Sequence, residues 1–189
     1  MRALRRSDTK VIRISDIQRA QEGDREAFIR LIQKLEPEMY GVAKSILKED
    51  ADCADAMQET TIKVFNALPG LRKPRFFKTW VIRILINECN QLLRNRKRTI
   101  SMAEVPEKNP TERFEDSRLV ELRERVEQLD DNLRIVIELF YFRDMSIKQI
   151  AVALELTEGA VRTRLHRARE NLMRGYLAAN EGELNYESI

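Results

Sequence analysis

A stretch near the carboxyl end of the sequence combines guanidinium, hydroxyl and imidazole side chains with apolar residues at helical spacing. The apolar residues predict the buried face of a helix and are Val161, Leu165, Ala168 and Leu172. At about 100° per residue, the outward face and its flanks carry groups that can pair with base edges or phosphates in a major groove. These candidates for DNA contact are Arg162, Thr163, His166, Arg167 and Arg169. A solvated, arginine-rich surface helix is the alternative interpretation.

A shorter helix is predicted immediately before this one, with a tight turn between the two. Its inner face has a small residue where the helices would cross and consists of Ile147, Ile150, Ala151 and Leu154. Thr157 is placed to cap the following helix by accepting from its free N–H groups. Glu155 stands in the turn where such units often have glycine, so a left-handed backbone there would cost about 1 kcal/mol. Residues 146–161 therefore predict a helix-turn-helix, the unit that places a helix in the major groove.

A basic surface is predicted in the first half of the chain. Between residues 72 and 98 the sequence has nine Arg or Lys side chains and a single acidic one, Glu88. On a helix predicted over about 76–94, one stripe combines aromatic, amide and guanidinium groups: Phe76, Trp80, Arg83, Asn87, Asn90 and Arg94. Such groups attract a phosphate backbone, stack on bases and pair with base edges, so the stripe favours single-stranded nucleic acid. Burial of Phe76 and Trp80 as ordinary core aromatics is the alternative.

A third surface lies on the helix predicted over residues 52–68. Its buried face is predicted to consist of Met57, Thr61, Val64 and Leu68. Its outward face combines acidic and amide groups with one branched apolar side chain, and consists of Asp55, Gln58, Glu59, Ile62 and Asn66. An apolar anchor ringed by charge is typical of a protein-binding surface. A solvated helix face with one stray isoleucine fits the pattern equally well.

All elements that position these groups are predicted to be helices, so the predicted fold class is all-α, with two small helical domains. In the first domain one helix would end near Pro37, a second would follow over about 39–47, and the inner side of the helix over 76–94 would join the core. In the second domain, helices are predicted from about 119, and then over 132–143, 146–154 and 158–176. Pro106, Pro110 and scattered acids predict a flexible linker between the domains. The predicted boundaries are 1–15 for a basic extension, 16–98 and 118–178 for the domains, 99–117 for the linker and 179–189 for a tail.

Composition excludes several classes of function. The sequence has 189 residues, two cysteines and one histidine, whose number and spacing fit neither a zinc site nor a disulfide framework. Cys53 and Cys89 are predicted to be buried thiols, and neither a cofactor nor a small-molecule substrate is expected. One histidine without a convergent nucleophile, glycine-rich loop or metal cluster gives no basis for an enzyme. The sequence predicts neither a signal peptide nor a membrane span, so we expect a cytoplasmic protein.

Four segments resemble the successive signatures of extracytoplasmic-function sigma factors, and they stand in that family's order and spacing. The segments are residues 20–28, 55–60, 79–87 and 159–169. The resemblance implies a two-domain subunit that binds core RNA polymerase and directs promoter-specific initiation of transcription. Thr61 and Leu71 stand where the family often has phenylalanine, and Ala54 replaces a frequent acid.

The resemblance also implies a role for each surface. The clamp coiled coil of the largest polymerase subunit would be bound by Asp55, Gln58, Glu59 and Ile62. The melted −10 element would be held by a loop and the basic helix, through Leu71, Arg72, Lys73, Arg75, Trp80, Arg83, Asn87 and Arg94. The carboxyl-terminal helix would read the double-stranded −35 element. Stress or cell-envelope genes are the expected targets, and an anti-sigma factor, whether membrane-bound or not, is an expected partner.

Two other classes of function stay open at this point. A stand-alone helix-turn-helix regulator explains the second domain but gives the basic stripe no purpose. A helical interaction protein, such as an adaptor or an anti-sigma factor, is the other alternative. Initiation with purified core polymerase would exclude the regulator, and binding of promoter DNA in complex with core would exclude the interaction protein.

Overall fold

The structure is a computed structural model that describes residues 12–99 and 117–184, with side chains described within 12–96 and 122–176. The chain divides into two compact units, which meet in sequence between Leu93 and Arg94. Every regular element within the described residues is helical, which confirms the prediction of an all-α fold with two domains. The predicted linker lies outside the described residues apart from its two ends, and the proposed domain boundaries stay predictions.

The first unit consists of four helices and two short 3-10 turns. In chain order they are α1 (Ile14–Gln21), α2 (Arg25–Leu47), α3 (Asp50–Ala67), the turns Leu68–Gly70 and Pro74–Phe76, and α4 (Phe77–Thr99). The last residues of α4, from Arg94 onward, are counted with the second unit. α2 packs against α1 and α3, and α1 also packs against both 3-10 turns. Each turn has a proline at its start, where the fixed φ of proline suits a helix and no N–H is required.

The inner face of α4 supplies much of the core of the first unit. Its buried apolar residues are Phe77, Val81, Ile82, Leu85, Ile86 and Cys89. These positions agree with the helical period of the sequence, which confirms the predicted core side of this helix. The basic stripe must therefore lie on the opposite, outward side.

α2 runs through Pro37 without a break, so the prediction of two helices separated near this residue is wrong. Leu31, Leu35 and Met39 lie four residues apart and are all buried, so the apolar face continues past the proline. Pro37 itself is exposed and costs the helix an internal hydrogen bond. Burial of the flanking side chains outweighs that loss, since each Leu or Met contributes about 1.5–3 kcal/mol.

The buried face of α3 differs from the prediction. Its buried residues are Cys53, Ala56, Thr60 and Val64. Met57 and Thr61 are only half-buried and border an open groove together with Tyr40. The small side chains on the buried face allow α3 to pack closely on α2, whereas the prediction placed the larger methionine inside.

Both cysteines are free buried thiols, which confirms that prediction. Burial raises the pKa of Cys53 to about 11 and the pKa of Cys89 to about 12. Because the thiolate is the reactive form, both residues are unreactive at neutral pH.

The second unit is a smaller group of helices around the longest one. Its elements are α5 (Ser117–Glu127), α6 (Asp131–Ile137), a π turn (Glu138–Phe142), α7 (Ile147–Ala153) and α8 (Glu158–Leu184). α8 packs against α5, α6 and α7, and it extends beyond the end predicted near residue 176. Arg134 is buried and donates to the carbonyls of Glu127 (3.0 Å) and Leu129 (3.1 Å), so a charged side chain joins α6 to the end of α5.

A π turn takes the place of the second half of the helix that was predicted over residues 132–143. The prediction of one regular helix is therefore wrong there. The N–H of Arg143 donates to the carbonyl of Glu138 at 3.1 Å, and its Nε lies 2.7 Å from Glu138 Oε1. Burial raises the pKa of the Glu138 carboxyl, and the neighbouring guanidinium opposes that shift. This ion pair spans the wider turn, and the chain leaves the helix directly after it, where Asp144 has a φ of +53°.

α7 and α8 form the predicted helix-turn-helix. Ser146 Oγ accepts from the Gln149 N–H (3.3 Å), and Gln149 Oε1 accepts from the Ser146 N–H (2.8 Å), so α7 begins with a capping box. Thr157 Oγ1 accepts from the Ala160 N–H at 3.1 Å, which confirms the predicted cap of α8. Glu155 has a φ of +56°, so the turn contains the left-handed backbone anticipated from the sequence.

Candidate nucleic-acid and protein interfaces

α8 presents its polar groups on the side away from the core of the second unit. Val161, Leu165 and Ala168 are buried. The predicted DNA-contacting residues are all exposed: Arg162, Thr163, His166, Arg167 and Arg169. The structure therefore brings these five side chains together on the solvent side of one helix.

Two of these side chains have acidic partners one helical turn away. Arg162 Nη2 lies 3.1 Å from Glu158 Oε2, and His166 Nε2 lies 3.4 Å from Glu170 Oε1. All four side chains are exposed, and an Arg–Glu pair of this kind contributes about 0.3–0.5 kcal/mol, whereas His166 forms an ion pair only when it is protonated. A DNA phosphate or base edge can therefore replace either carboxylate at little cost.

Arg169 is held in a different way, by the π turn. Its Nε donates to the hydroxyl of Tyr141 at 2.8 Å, and its guanidinium lies 5.8 Å from the ring of Phe140 and 5.7 Å from that of Tyr141. The two rings pack edge to face, with centroids 5.0 Å apart. Sequence reasoning missed Tyr141, although the run of aromatic residues at 140–142 just before the helix-turn-helix was a signal for it.

α4 carries the predicted basic stripe on its outer face. The exposed members of the stripe are Arg83, Asn87, Asn90 and Arg94. Trp80 is half-buried and packs on the fully buried Phe77, with ring centroids 6.2 Å apart. Phe76 is 40% exposed, so its interpretation as a core aromatic is wrong and Phe77 takes that place.

Residues 71–73 form a short loop between the two 3-10 turns. Arg72 and Lys73 are exposed, and Leu71 is half-buried. Arg75 follows in the second turn, with its guanidinium 4.7 Å from the centroid of the Phe76 ring. The loop and the second 3-10 turn together bring three cations, Arg72, Lys73 and Arg75, to the beginning of α4, next to the stripe.

Sequence reasoning missed a residue that holds this loop. Gln21, the last residue of α1, donates from Nε2 to the carbonyl oxygens of Leu68 (3.1 Å) and Leu71 (2.9 Å). These partners lie 47 and 50 residues further along the chain, a separation at which local patterns give no information. The one available signal was that Gln21 belongs to the segment 20–28.

α3 presents the predicted protein-binding face to solvent. The predicted members are all exposed: Asp55, Gln58, Glu59 and Ile62. Ile62 is 48% exposed, and so is Phe65, which lies almost one turn further along. Phe65 rests edge-on against Phe28, with ring centroids 5.0 Å apart. Phe65 is a second exposed apolar side chain of this face that sequence reasoning missed, although its spacing of three residues from Ile62 was a signal for it.

Among the described residues, no group of three or more His, Cys, Asp or Glu side chains could hold a metal ion. In the same part of the chain, no helix is both long enough and apolar enough to cross a membrane.

Two family models match the chain, one in its first half and one in its second half. The model described as sigma-70 region 2 matches residues 26–99, and the model described as sigma-70, region 4 matches residues 119–172. The first match contains α3, the loop and α4, and the second contains the helix-turn-helix.

Several curated proteins are similar to most of the chain. RNA polymerase sigma-H factor of Pseudomonas aeruginosa is 30% identical over 171 residues, which cover 82% of this chain and 88% of that protein. ECF RNA polymerase sigma factor SigE of Mycolicibacterium smegmatis is 31% identical over 163 residues, covering 81% of this chain and 62% of the relative. ECF RNA polymerase sigma-E factor of Escherichia coli is 28% identical over 171 residues, covering 82% of this chain and 88% of the relative.

Two solved structures share the fold. CnrH, in complex with the cytosolic domain of CnrY, has a TM-score of 0.66 at 25% identity and covers 89% of this chain and 99% of its own. The sigma factor RpoE of Bartonella quintana, in complex with the anti-sigma factor NepR, has a TM-score of 0.66 at 21% identity. It covers 78% of this chain and 94% of its own. The likeness to these structures concerns the fold. Both family models, the relative covered over 88% of its length and the relatives named as ECF factors show that the chain is a sigma factor of the extracytoplasmic-function group of the sigma-70 family.

Proposed function

We propose that the first unit binds core RNA polymerase and opens the −10 element, while the second unit reads the −35 element as duplex DNA. The observation that carries this proposal is the exposed stripe of α4, which is continuous in sequence with the cationic loop at residues 71–73. A stand-alone regulator has no use for such a surface, because it does not need to hold separated strands. A promoter-opening subunit requires one.

In the proposed −10 site, cations attract the phosphates of the separated strand. These cations are Arg72, Lys73, Arg75, Arg83 and Arg94. The partly exposed ring of Trp80 offers a surface on which a base can stack, an interaction of about 1–3 kcal/mol. Asn87 offers both a donor and an acceptor to a base edge, and Leu71 provides apolar contact at the start of the loop.

In the proposed −35 site, the first turns of α8 enter the major groove. Arg162 and Arg167 would pair with guanine edges, and Thr163 and His166 would reach bases or phosphates. Arg169 lies seven residues after Arg162, about 10 Å further along the helix axis at 1.5 Å per residue. Its side chain is already directed by Tyr141, which favours a fixed contact to the DNA backbone.

The proposed core-binding surface is the outward face of α3. Ile62 and Phe65 are the apolar anchors, and Asp55 and Glu59 supply charge around them. Lys63 lies 3.5 Å from Glu59 and 2.6 Å from Glu88, so part of the charge of Glu59 is balanced within the unit. Anchors of this kind, ringed by polar groups, are typical of a protein interface.

Sigma-70 proteins are non-enzymatic initiation factors, and we propose that this chain likewise catalyses no reaction and leaves nucleotidyl transfer to core polymerase in the cytoplasm. We also propose control by an anti-sigma partner, with stress or cell-envelope genes as targets. The fold that it shares with two solved proteins supports such a partner, since those proteins form complexes with NepR and with the cytosolic domain of CnrY.

In vitro transcription tests the proposed function. Mapping transcript starts after overexpression would give a candidate promoter, and purified core polymerase would then be assayed on it with and without the chain. We expect initiation at the mapped start only when the chain is present. Binding of the promoter without initiation would instead support the stand-alone regulator.

A further inference from the structure

The segment 20–28 resembles a family signature, yet the surfaces described above give it no role. Gln21 lies in this segment and contacts the loop at residues 71–73. Its Nε2 donates to two carbonyl oxygens, that of Leu68 at 3.1 Å and that of Leu71 at 2.9 Å. The Leu68 carbonyl also accepts from the Leu71 N–H at 3.0 Å. One amide group therefore joins both ends of the turn that leads into the loop.

The corner between α1 and α2 fixes the position of Gln21. Gly23 has a φ of +97°, a left-handed value that glycine adopts without strain. Asp24 then caps α2 by accepting from the Ala27 N–H at 3.0 Å, and Arg19 Nη2 lies 2.6 Å from Asp24 Oδ2. This corner and the packing of α1 on α2 anchor the amide independently of the loop that it holds. α1 also packs against both 3-10 turns that flank the loop.

The loop has little packing of its own. Arg72 and Lys73 are exposed and only Leu71 is half-buried, so the side chains alone do not fix the backbone. The loop is bounded by hydrogen bonds at its two ends, from Gln21 on one side and from the Phe76 N–H to the Lys73 carbonyl (3.0 Å) on the other. Loss of the first contact would leave its amino-terminal end less constrained.

We propose that Gln21 is a positioning residue for promoter opening, which holds residues 71–73 in the conformation that receives −10 bases. This inference rests on the proposed function of the loop. A base that leaves the duplex loses its stacking and pairing energy, so the site that receives it gains most from being formed in advance. Gln21 would thereby act on strand opening and on the choice of −10 sequence, without contacting the DNA.

The test removes the two donors while keeping the length of the side chain. Gln21→Met lacks both N–H groups, and Gln18→Met is a matched control on the exposed side of the same helix. Each full-length variant would be assembled with core polymerase on promoters that carry a fluorescent adenine analogue in the −10 element. Open complexes would be measured on the preferred −10 sequence and on single-base variants of it.

For Gln21→Met we expect about tenfold fewer open complexes on the preferred promoter, from the loss of two hydrogen bonds, and weaker discrimination against the variants. Affinity for core polymerase and for a duplex fragment containing only the −35 element should be unchanged, and Gln18→Met should behave as the wild type. Discrimination is a ratio between promoters, so a smaller folded fraction does not alter it. Unchanged opening, or an equal loss on every promoter, would overturn the inference.

A substitution in the loop separates this inference from the function on which it rests. Arg72→Ala combined with Lys73→Ala should reduce opening if the loop receives the −10 element. If this double variant opens promoters normally, the proposed function of the loop and the inference both fail. If it is impaired while Gln21→Met is not, only the inference fails.

Discussion

The two candidate DNA-reading surfaces are constructed in opposite ways. On α8 the reading groups stand on one regular helix, which begins at a capped turn and has a continuous buried face. In the first unit the groups are divided between α4 and a three-residue loop, and Gln21 from another helix holds that loop. A helix suits the rigid groove of a duplex, whereas a loop and an aromatic surface suit separated bases. The composite surface therefore depends on contacts between distant parts of the chain.

If core polymerase brings both candidate DNA-reading surfaces to the promoter, loss of core binding should abolish the promoter contacts of both surfaces at once. We expect Asp55→Arg combined with Glu59→Arg to weaken binding to core about 100-fold, because like charges would then meet at the interface. The free energy of unfolding should change by no more than about 0.5 kcal/mol per site, since both residues are exposed. A fluorescence titration of labelled core measures the affinity. Glu22→Arg with Glu26→Arg is the matched reversal of two other exposed acids, and equal losses in the two double variants would contradict the assignment of this face.

Removal of one arginine from each surface should reveal the difference between a base contact and a phosphate contact. Arg167→Ala should cost about 1–3 kcal/mol on the preferred −35 sequence and relax the choice at one position. Arg96 is exposed near the end of α4 and is one of the nine basic residues between 72 and 98. Arg96→Ala should weaken binding to all promoters alike and make the slope of log affinity against log salt concentration shallower by about one. Holoenzyme affinity for −35 and −10 variants at several salt concentrations measures both effects. A uniform loss for Arg167→Ala would show that it contacts only phosphate.

A smaller effect is expected from the support that Tyr141 gives to Arg169. Tyr141→Phe removes the hydroxyl that accepts from Arg169 Nε but keeps the ring beneath the guanidinium. We expect a loss of about threefold to tenfold in promoter affinity that is similar for all −35 variants, as for one hydrogen bond. In a background of Arg169→Ala the same substitution should have no effect, which a double-mutant cycle detects. Tyr176→Phe is the matched removal of an exposed hydroxyl from the same unit, and additive losses would indicate that Tyr141 acts independently of Arg169.

A different kind of effect concerns stability rather than promoter binding, and it is expected in the first unit, which contains both cysteines of the sequence. The pKa values of Cys53 and Cys89 are raised by burial from 9.0 to about 11 and about 12. As the pH rises, the thiols of the unfolded chain therefore lose their protons before those of the folded chain. The contribution of the two buried thiols to the free energy of unfolding is complete below pH 9 and decreases as the pH rises towards the folded pKa values of about 11 and about 12. Urea unfolding at about pH 8 and about pH 10.5 should show a decline that is smaller in Cys53→Ala with Cys89→Ala. An identical decline in that variant would show that other groups cause it.

Helical periodicity predicted the surfaces that consist of one helix face. The outward residues of α8, the core side of α4 and the exposed face around Asp55 and Ile62 all lie where the spacing places them. The cap of α8 could also be predicted from the sequence, because Thr157 accepts from the Ala160 N–H, only three residues away. These features depend on residues three or four apart, which is the range over which a sequence pattern carries information.

The remaining features depend on packing between distant elements. Pro37 indicated the end of a helix, yet apolar burial on both sides carries α2 through it. The register of α3 was missed because Cys53 and Ala56 are small, and close packing favours small residues over the more hydrophobic Met57. Gln21 and Tyr141 were missed because their partners lie 47 or 50 and 28 residues away.

Glu155 adopts a left-handed backbone in the turn between α7 and α8. That conformation costs a residue with a side chain about 1–2 kcal/mol, which corresponds to roughly a tenfold increase in the population of locally opened molecules. The first turn of α8 should therefore exchange its amide hydrogens with solvent faster than the middle of the same helix. Glycine at this position would remove the cost and protect those amides, so α8 has a built-in tendency to open at the end that we propose enters the groove.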